Sequence, residues 1–350
     1  MLRFENDYLK GCLPEILDLM GNTNMEETSG YRIDPYCEQA NEKIKKACNV
    51  DYLDVHYLVG GTQTNMVVID TILKPYQGII CPILGHLNVH EAGAIEGAGH
   101  KVITLSNNDK IKDDEAKIYP DVIEKYLEEF FALGDWHRAQ PGGVYISHPT
   151  ERGALYTKDE LIKIKSICEK YDIPLYVDGA RLSYALACDE NDITLEDLAK
   201  YTDVFYIGGT KCGSMFGEAV AFTNYKYNKG FNIACKRQGA VLAKGRLLGL
   251  QFDYLFTDNN YIEKSKDAVK YAHQIRQAFI DKGIKFIANS YTNQQFPILN
   301  KKQQEHFKKN DVGFNFEEKV DENSDAVRFC TSWGTEKENV KKLLDIISNM

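Results

Sequence analysis

A chain of 350 residues, 43% hydrophobic and 27% charged, can bury a sizeable core as one large domain with an appendage or as two domains. Its formal net charge of −9 argues against nucleic-acid binding, which needs concentrated positive charge, and no apolar run approaches the roughly 20 residues that cross a bilayer. Nine scattered cysteines with no C-x-x-C pair read as reduced thiols in a cytoplasm, not as a disulfide framework or a zinc site.

The N-terminus carries Glu5, Asp7, Glu15 and Asp18 and so lacks the apolar region of a secretory signal. Gly21 to Tyr31 is polar and glycine-flanked, and reads as a loop leading into the fold in preference to a mobile arm over a site. Asp34-Pro35 is an N-cap followed by proline at the first helical position, opening a helix through Ala40, Ile44 and Ala47. Val55 to Val59 reads as a strand, Gly60-Gly61-Thr62 as a turn, and Asn65 to Leu73 as a helix stopped at Pro75. Further strands are expected at Gly78 to Pro82, Lys101 to Leu105 and Val144 to Ser147. Between them lie helices near Glu91 to Gly97 and from Asp121 to Ala132, and a polar loop from Asn107 to Lys117.

Thr157 with Glu160 makes a capping box for a helix to Tyr171. Pro174 then precedes a strand ending at Asp178, and a helix from Leu195 to Tyr201 leads to a strand from Asp203 to Ile207. Glu218 to Phe222 resembles one more strand and Val241 to Leu255 another helix. Such alternation calls for an α/β fold with a mostly parallel sheet covered by helices on both faces.

The character changes after residue 256. A long helix, Asn260 to Lys282, is followed by strand-like runs Ile284 to Ala288, Gln295 to Leu299, Gly313 to Glu317 and Ala326 to Ser332, with Thr335 and Glu338 capping a last helix. The expected organisation is an N-terminal arm and helix (1–50), a large α/β domain (51–256) and a smaller α+β domain (257–350).

Ligands in open α/β sheets bind beyond the carboxyl ends of the strands. Two reactive residues fall there: Asp178, in Leu175-Tyr176-Val177-Asp178-Gly179-Ala180-Arg181, and Lys211, in Tyr206-Ile207-Gly208-Gly209-Thr210-Lys211-Cys212-Gly213. A lysine desolvated among small residues loses proton affinity and becomes a nucleophilic amine. Together with a strand-end carboxylate it points to an aldehyde cofactor, carried on the lysine and held at a ring nitrogen by the aspartate. Capping of the following helix is the plainer role for Asp178, and Arg181 is placed either to pair with it or to contact the cofactor oxygen.

Gly60-Gly61-Thr62, between a strand and a helix, suits a phosphate, and Thr210 beside the lysine adds a hydroxyl. His86, after the Gly78 to Pro82 strand, is placed to stack on a planar ring and carry a proton, with a solvated turn histidine as the alternative. Glu91 reads as complementing a helix dipole. His148 and Glu151 follow another strand towards the same mouth. Arg328, off a late strand, is a surface arginine by default and a bidentate carboxylate clamp if a cleft lies beside it. No G-x-G-x-x-G or Walker pattern stands at a first strand–helix turn, which disfavours a nucleotide enzyme.

Val177-Asp178-Gly179-Ala180-Arg181 and Gly208-Gly209-Thr210-Lys211, in this order and separation, resemble the threonine aldolase group of the β-eliminating lyase family. Gly61-Thr62-x-x-Asn65 and the run His86 to Gly93 match as well, and the resemblance covers nearly the whole chain. It implies a pyridoxal 5'-phosphate enzyme of the aspartate-aminotransferase-like fold that cleaves threonine or allo-threonine to glycine and acetaldehyde. It further implies that Lys211 carries the cofactor, Asp178 meets the pyridine nitrogen, His86 stacks on the ring, Arg181 lies beside it and Arg328 binds the substrate carboxylate.

The base for the β-hydroxyl would be His86, or Glu151 through water. Many members have a histidine where this chain reads Thr150-Glu151-Arg152-Gly153. Lys244, within Lys236 to Arg246, resembles the residue that reaches a neighbouring subunit's cofactor phosphate, with Arg237 and Arg246 as alternatives. A homodimer or homotetramer with shared active sites is thereby expected. Rival readings are β-elimination or transamination of an amino acid at the same site, and a cofactor-binding protein without turnover.

Overall fold

The computed structural model describes residues 1–350. Seven strands form one sheet in the spatial order 54–58, 218–222, 204–208, 175–178, 140–147, 77–82, 101–105. The strand Glu218–Phe222 runs antiparallel to both neighbours, and the remaining contacts are parallel. Six carboxyl ends and the amino end of the reversed strand therefore share one edge. This is the expected α/β architecture.

Side chains alternate across the sheet with the strand period of two. Tyr145, Tyr176 and Tyr206 enter the hydrophobic cluster on one face, with Val67, Val68 and Ile69 of the helix Gly61–Ile72. Val144, Ile146, Leu175, Val177, Phe205 and Ile207 enter the cluster on the other. Asp178, two residues beyond Tyr176, thus falls on the tyrosine face. Both faces are covered, which explains why these strands read as unbroken apolar runs.

A separate antiparallel sheet is built by Ile298–Asn300, Ser324–Cys330 and Asn315–Lys319, with Gln294–Gln295 pairing the long middle strand. Its core includes Phe279, Phe307, Val327, Phe329 and Leu343. Phe4 joins that core, and Leu2–Arg3 pairs in parallel with Val312–Gly313. The first residues of the chain are thus fixed against its last hundred.

Several elements depart from the sequence expectation. The helix expected at Asn65 begins at Gly61, because Gly60 is extended (φ −172°, ψ 162°) and serves as its N-cap. The Glu91 to Gly97 helix is two short ones, His86–Val89 and Ala94–Gly97, separated where Ala92 and Gly93 take positive φ. A helix Lys110–Asp114, capped by the Asp109 side chain, lies inside the expected loop.

The long helix divides into Asn260–Glu263 and Lys266–Asp281 around Ser265, whose hydroxyl bonds to Ser183 Oγ. Ile284 to Ala288 forms only a bridge, Phe286 to Pro297. Thr335 accepts from Ser332 N instead of capping, and the last helix, Lys337–Ser348, has no side-chain cap. The expected Val241 helix begins at Arg246. Short helices at Pro14–Asn22, Leu182–Leu186, Phe231–Arg237 and Lys301–Lys309 add to the expected set. The Thr157–Glu160 capping box and the Asp34 cap form as expected. All nine cysteines are free thiols, and no helix is long and apolar enough to cross a membrane.

Candidate active site

At the shared edge lies a cavity of about 550 Å³ whose lining includes Lys211, Asp178, His86, Glu151, Arg181 and Arg328. Gly61, Thr62 and Thr210 also face it. Lys244 and His148 do not. The sequence-derived constellation, apart from these two, is brought to one place.

Two backbone turns set the central pair. The strands ending at Asp178 and Gly208 approach so closely that a Cβ on Gly179 would stand 2.1 Å from Tyr206 O, and one on Gly208 would stand 2.4 Å from Ala180 O. Only glycine fits at either position. The Lys211 loop is fixed from behind by Tyr261 OH donating to Gly208 O (2.9 Å) and Tyr184 OH donating to Lys211 O (2.7 Å).

The Asp178 carboxylate is 3% exposed and ringed by donors. Tyr145 OH (2.7 Å) and Asn65 Nδ2 (3.2 Å) donate to Oδ2, and Ala180 N donates to Oδ1 (2.9 Å). An acceptor-only group is what such surroundings require. Of the two placements open to Arg181, pairing with Asp178 is not the one found. Arg181 instead forms a bidentate bond to Asp7, Nε to Oδ2 at 2.6 Å and Nη2 to Oδ1 at 3.1 Å, and Asn293 Nδ2 also donates to Asp7 (2.9 Å). Burial and the neighbouring Arg181 guanidinium both hold the Lys211 amine below the usual lysine range.

His86 Nδ1 lies 2.6 Å from Glu91 Oε1, so Glu91, which is buried, does more than complement a helix dipole. The backbone N of His86 donates to Glu151 Oε1 (2.7 Å), which also accepts from Ser147 Oγ (2.7 Å). Glu151 Oε2 is left without a partner. Burial pushes the Glu151 carboxyl up, opposed by the Ser147 hydrogen bond. His148, expected at this mouth, lies just past the strand Gln140–Ser147, where its side chain is 1% exposed and bonded through Nε2 to Asn191 Oδ1 (3.0 Å).

Arg328 donates weakly to Gln294 Oε1 (3.3 Å) and Glu5 O (3.2 Å), while its Nε has no partner. Much of its hydrogen-bonding capacity is unspent. The amides of Gly61 and Thr62, at the first two helical positions, have no intrahelical acceptor, and both residues line the cavity with Thr210.

Lys244 is exposed, whereas its alternatives are engaged within the chain. Arg237 pairs with Asp70, and Arg246 donates to the carbonyls of Thr23 and Glu26.

Asp7, Tyr8, Tyr145 and Glu218 belong to the site without any mark in the sequence, and Asn65, which stands in the Gly61-Thr62-x-x-Asn65 motif, gains a direct contact to Asp178. Glu218 opens the reversed strand, accepts from Gly209 N (2.9 Å) and is pushed up to about 7 by burial. Its antiparallel direction, had it been foreseen, would have put it at the binding edge.

The donor set fits pyridoxal phosphate. It offers a low-affinity amine for the aldehyde, a donor-ringed carboxylate for the ring nitrogen, an imidazole beside the ring and helix amides for the phosphate.

Comparison with known proteins agrees. The beta-eliminating lyase family model matches residues 6–302. A low specificity L-threonine aldolase of Pseudomonas sp. (strain NCIMB 10558) is 27% identical over 347 residues, covering 97% of this chain and 95% of that protein. The structure of a Leishmania major threonine aldolase superposes with a TM-score of 0.94 at 37% identity, covering 100% of this chain and 99% of that one. Aspartate aminotransferase of Thermus thermophilus, 13% identical with a TM-score of 0.70 over 100% of this chain and 91% of its own, shares the fold alone. The chain belongs to the beta-eliminating lyase family, in its threonine aldolase group.

Proposed function

We propose that this protein uses pyridoxal 5'-phosphate to cleave a β-hydroxy-α-amino acid, L-threonine or L-allo-threonine, to glycine and acetaldehyde. The observation that carries the reading is the presence of Lys211 and Asp178 on one cavity with the helix amides of Gly61 and Thr62. Bound there, the cofactor supplies an aldehyde for the substrate amine and an electron sink for the breaking Cα–Cβ bond. Lys211 would hold it through its amine, Asp178 would keep a proton on its ring nitrogen, His86 would lie beside it, and Gly61, Thr62 and Thr210 would take its phosphate.

Arg328 would clamp the substrate carboxylate, and that contact would orient the substrate so that one chosen Cα bond is set up to break. Replacing Arg328 with Leu is expected to raise KM about 10- to 100-fold, the worth of one charged hydrogen-bonded contact. Arg328→Lys recovers little of it because an ammonium has no bidentate fork. Steady-state kinetics against threonine checks this.

Glu151 takes the β-hydroxyl proton, directly or through a water. Its Oε2 is the unpartnered acceptor, and its Oε1 is tied to Ser147 and His86. Because burial raises this carboxyl, the base is lost as pH falls through a value above the usual carboxylate range. The activity should therefore rise through a limb in that region. Glu151→Gln should remove the limb and lower kcat by about 10²- to 10⁴-fold with cofactor absorbance retained. An unaltered pH–rate profile in that variant would assign the proton to another group.

We propose further that a second copy of the chain completes the site, with Lys244 reaching the neighbour's phosphate. Its exposure and lack of an internal partner support this.

The deciding experiment is a product-resolved panel of threonine, allo-threonine, phenylserine, serine and tyrosine. Aldehyde with glycine is the expected result. Keto acid with ammonia would replace aldol cleavage by β-elimination.

A further inference from the structure

Two buried carboxylates, Glu91 and Asp178, flank the single amide of Asn65. Asn65 Nδ2 donates to Glu91 Oε1 (2.9 Å) and to Asp178 Oδ2 (3.2 Å), and its Oδ1 accepts from Tyr176 OH (2.7 Å). The Glu91 side chain is 0% exposed, and its closest basic partner is His86, Nδ1 to Oε1 at 2.6 Å. A carboxylate so buried keeps its charge only through such contacts. We infer that Glu91 is a positioning residue: it fixes Nδ1 of His86 as the donor, leaves Nε2 for the cavity, and is tied through Asn65 to Asp178.

The tie has a physical consequence at each end. A histidine with free rotation presents either nitrogen, whereas one held at Nδ1 by a carboxylate has one tautomer and one ring plane. The ring that covers a planar cofactor is thereby set before the cofactor arrives. The partner also retains protons on the imidazole.

His86 is faced by Glu91 and His90 from its own segment, by Asp178 and Lys211 across the cavity and by Glu151 at its backbone. Glu91 and Asp178 raise its proton affinity, and burial and Lys211 lower it. The net direction is upward. Removing the Glu91 charge leaves burial and Lys211 opposed by Asp178 and the more distant Glu151.

The catalytic consequence rests on the function proposed above, and the protonation consequence does not. The test follows the imidazole C2–H resonance of His86 by NMR in the protein with pyridoxal phosphate bound, identified by its loss in His86→Gln. Glu91→Gln is expected to lower the His86 titration midpoint by about one pH unit or more, a tenfold change in proton affinity.

Glu91→Asp, which keeps the charge but withdraws the oxygen by one methylene, falls between the two. It carries the test if Glu91→Gln is insoluble. A midpoint that stays at the wild-type value in the soluble variants overturns the inference.

Kinetics supplies a second readout. Glu91→Gln should lower threonine cleavage in the wild-type background and have no further effect on top of His86→Gln, since it acts through that ring. Independent, multiplying losses would also overturn it. If no β-hydroxy amino acid is cleaved at all, the functional reading fails and the NMR titration still decides the role of Glu91.

Discussion

Lys211→Ala is expected to fold, to show no borohydride-reducible visible absorbance with pyridoxal phosphate, and to lose threonine cleavage by about 10⁴-fold or more. The fold should survive because the loop is held by its backbone and neighbours, not by the lysine side chain. Tyr184 OH reaches the Lys211 carbonyl, and Gly209 N and Thr210 N both donate to Gly217 O.

The chromophore and the activity should disappear together, since under the proposed function one amine would serve both to anchor the aldehyde and to free the product. Two features of the site favour that chemistry at neutral pH. Burial and the Arg181 guanidinium both lower the proton affinity of the amine. Asp7 moderates the second effect through its bidentate bond to Arg181. Absorbance spectra before and after borohydride, with a threonine cleavage assay, measure both. Full retention of the reducible chromophore would remove Lys211 from its assigned role.

The residues legible in the sequence are those whose chemistry and position coincide at the end of a β-branched run. Asp178 and Lys211 follow such runs, and the sheet delivers both to one edge. Arg328 was placed on a strand whose neighbours form the second sheet, and it reaches the cavity.

The misses have a common cause in long-range pairing. Asp7 lies in a stretch with no periodic signal, and its role comes from Arg181, which is 174 positions away. Tyr145 reads as one more apolar strand residue, and only the alternation of the sheet turns its hydroxyl to Asp178. Glu91 is the local exception: its sequence position suggests a helix-end charge, yet the chain takes positive φ at Ala92 and Gly93 and Glu91 is buried against His86, five residues away. Local errors came from short elements: a helix of five residues such as Lys110–Asp114 is too brief for a 3.6-residue period to show.

Asp178→Asn should bind pyridoxal phosphate and still cleave threonine about 10²- to 10³-fold more slowly, with KM little changed. The substitution is nearly isosteric, so Tyr145 OH, Asn65 Nδ2 and Ala180 N keep an amide oxygen to donate to at one side. At the other side they meet an NH₂ group, donor against donor. More consequential is the lost charge. A neutral amide does not hold a proton on the ring nitrogen, and an unprotonated ring is a poor acceptor for the electrons released when Cα–Cβ breaks.

Because that demand arises only as the bond breaks, the loss belongs in kcat and not in substrate binding. Asp178→Glu separates charge from geometry. It restores the anion but pushes it a methylene further into a ring of three fixed donors, so only partial recovery is expected. Unchanged turnover in Asp178→Asn would mean that the electrons go elsewhere and that the donor-ringed carboxylate serves only to hold the strand end.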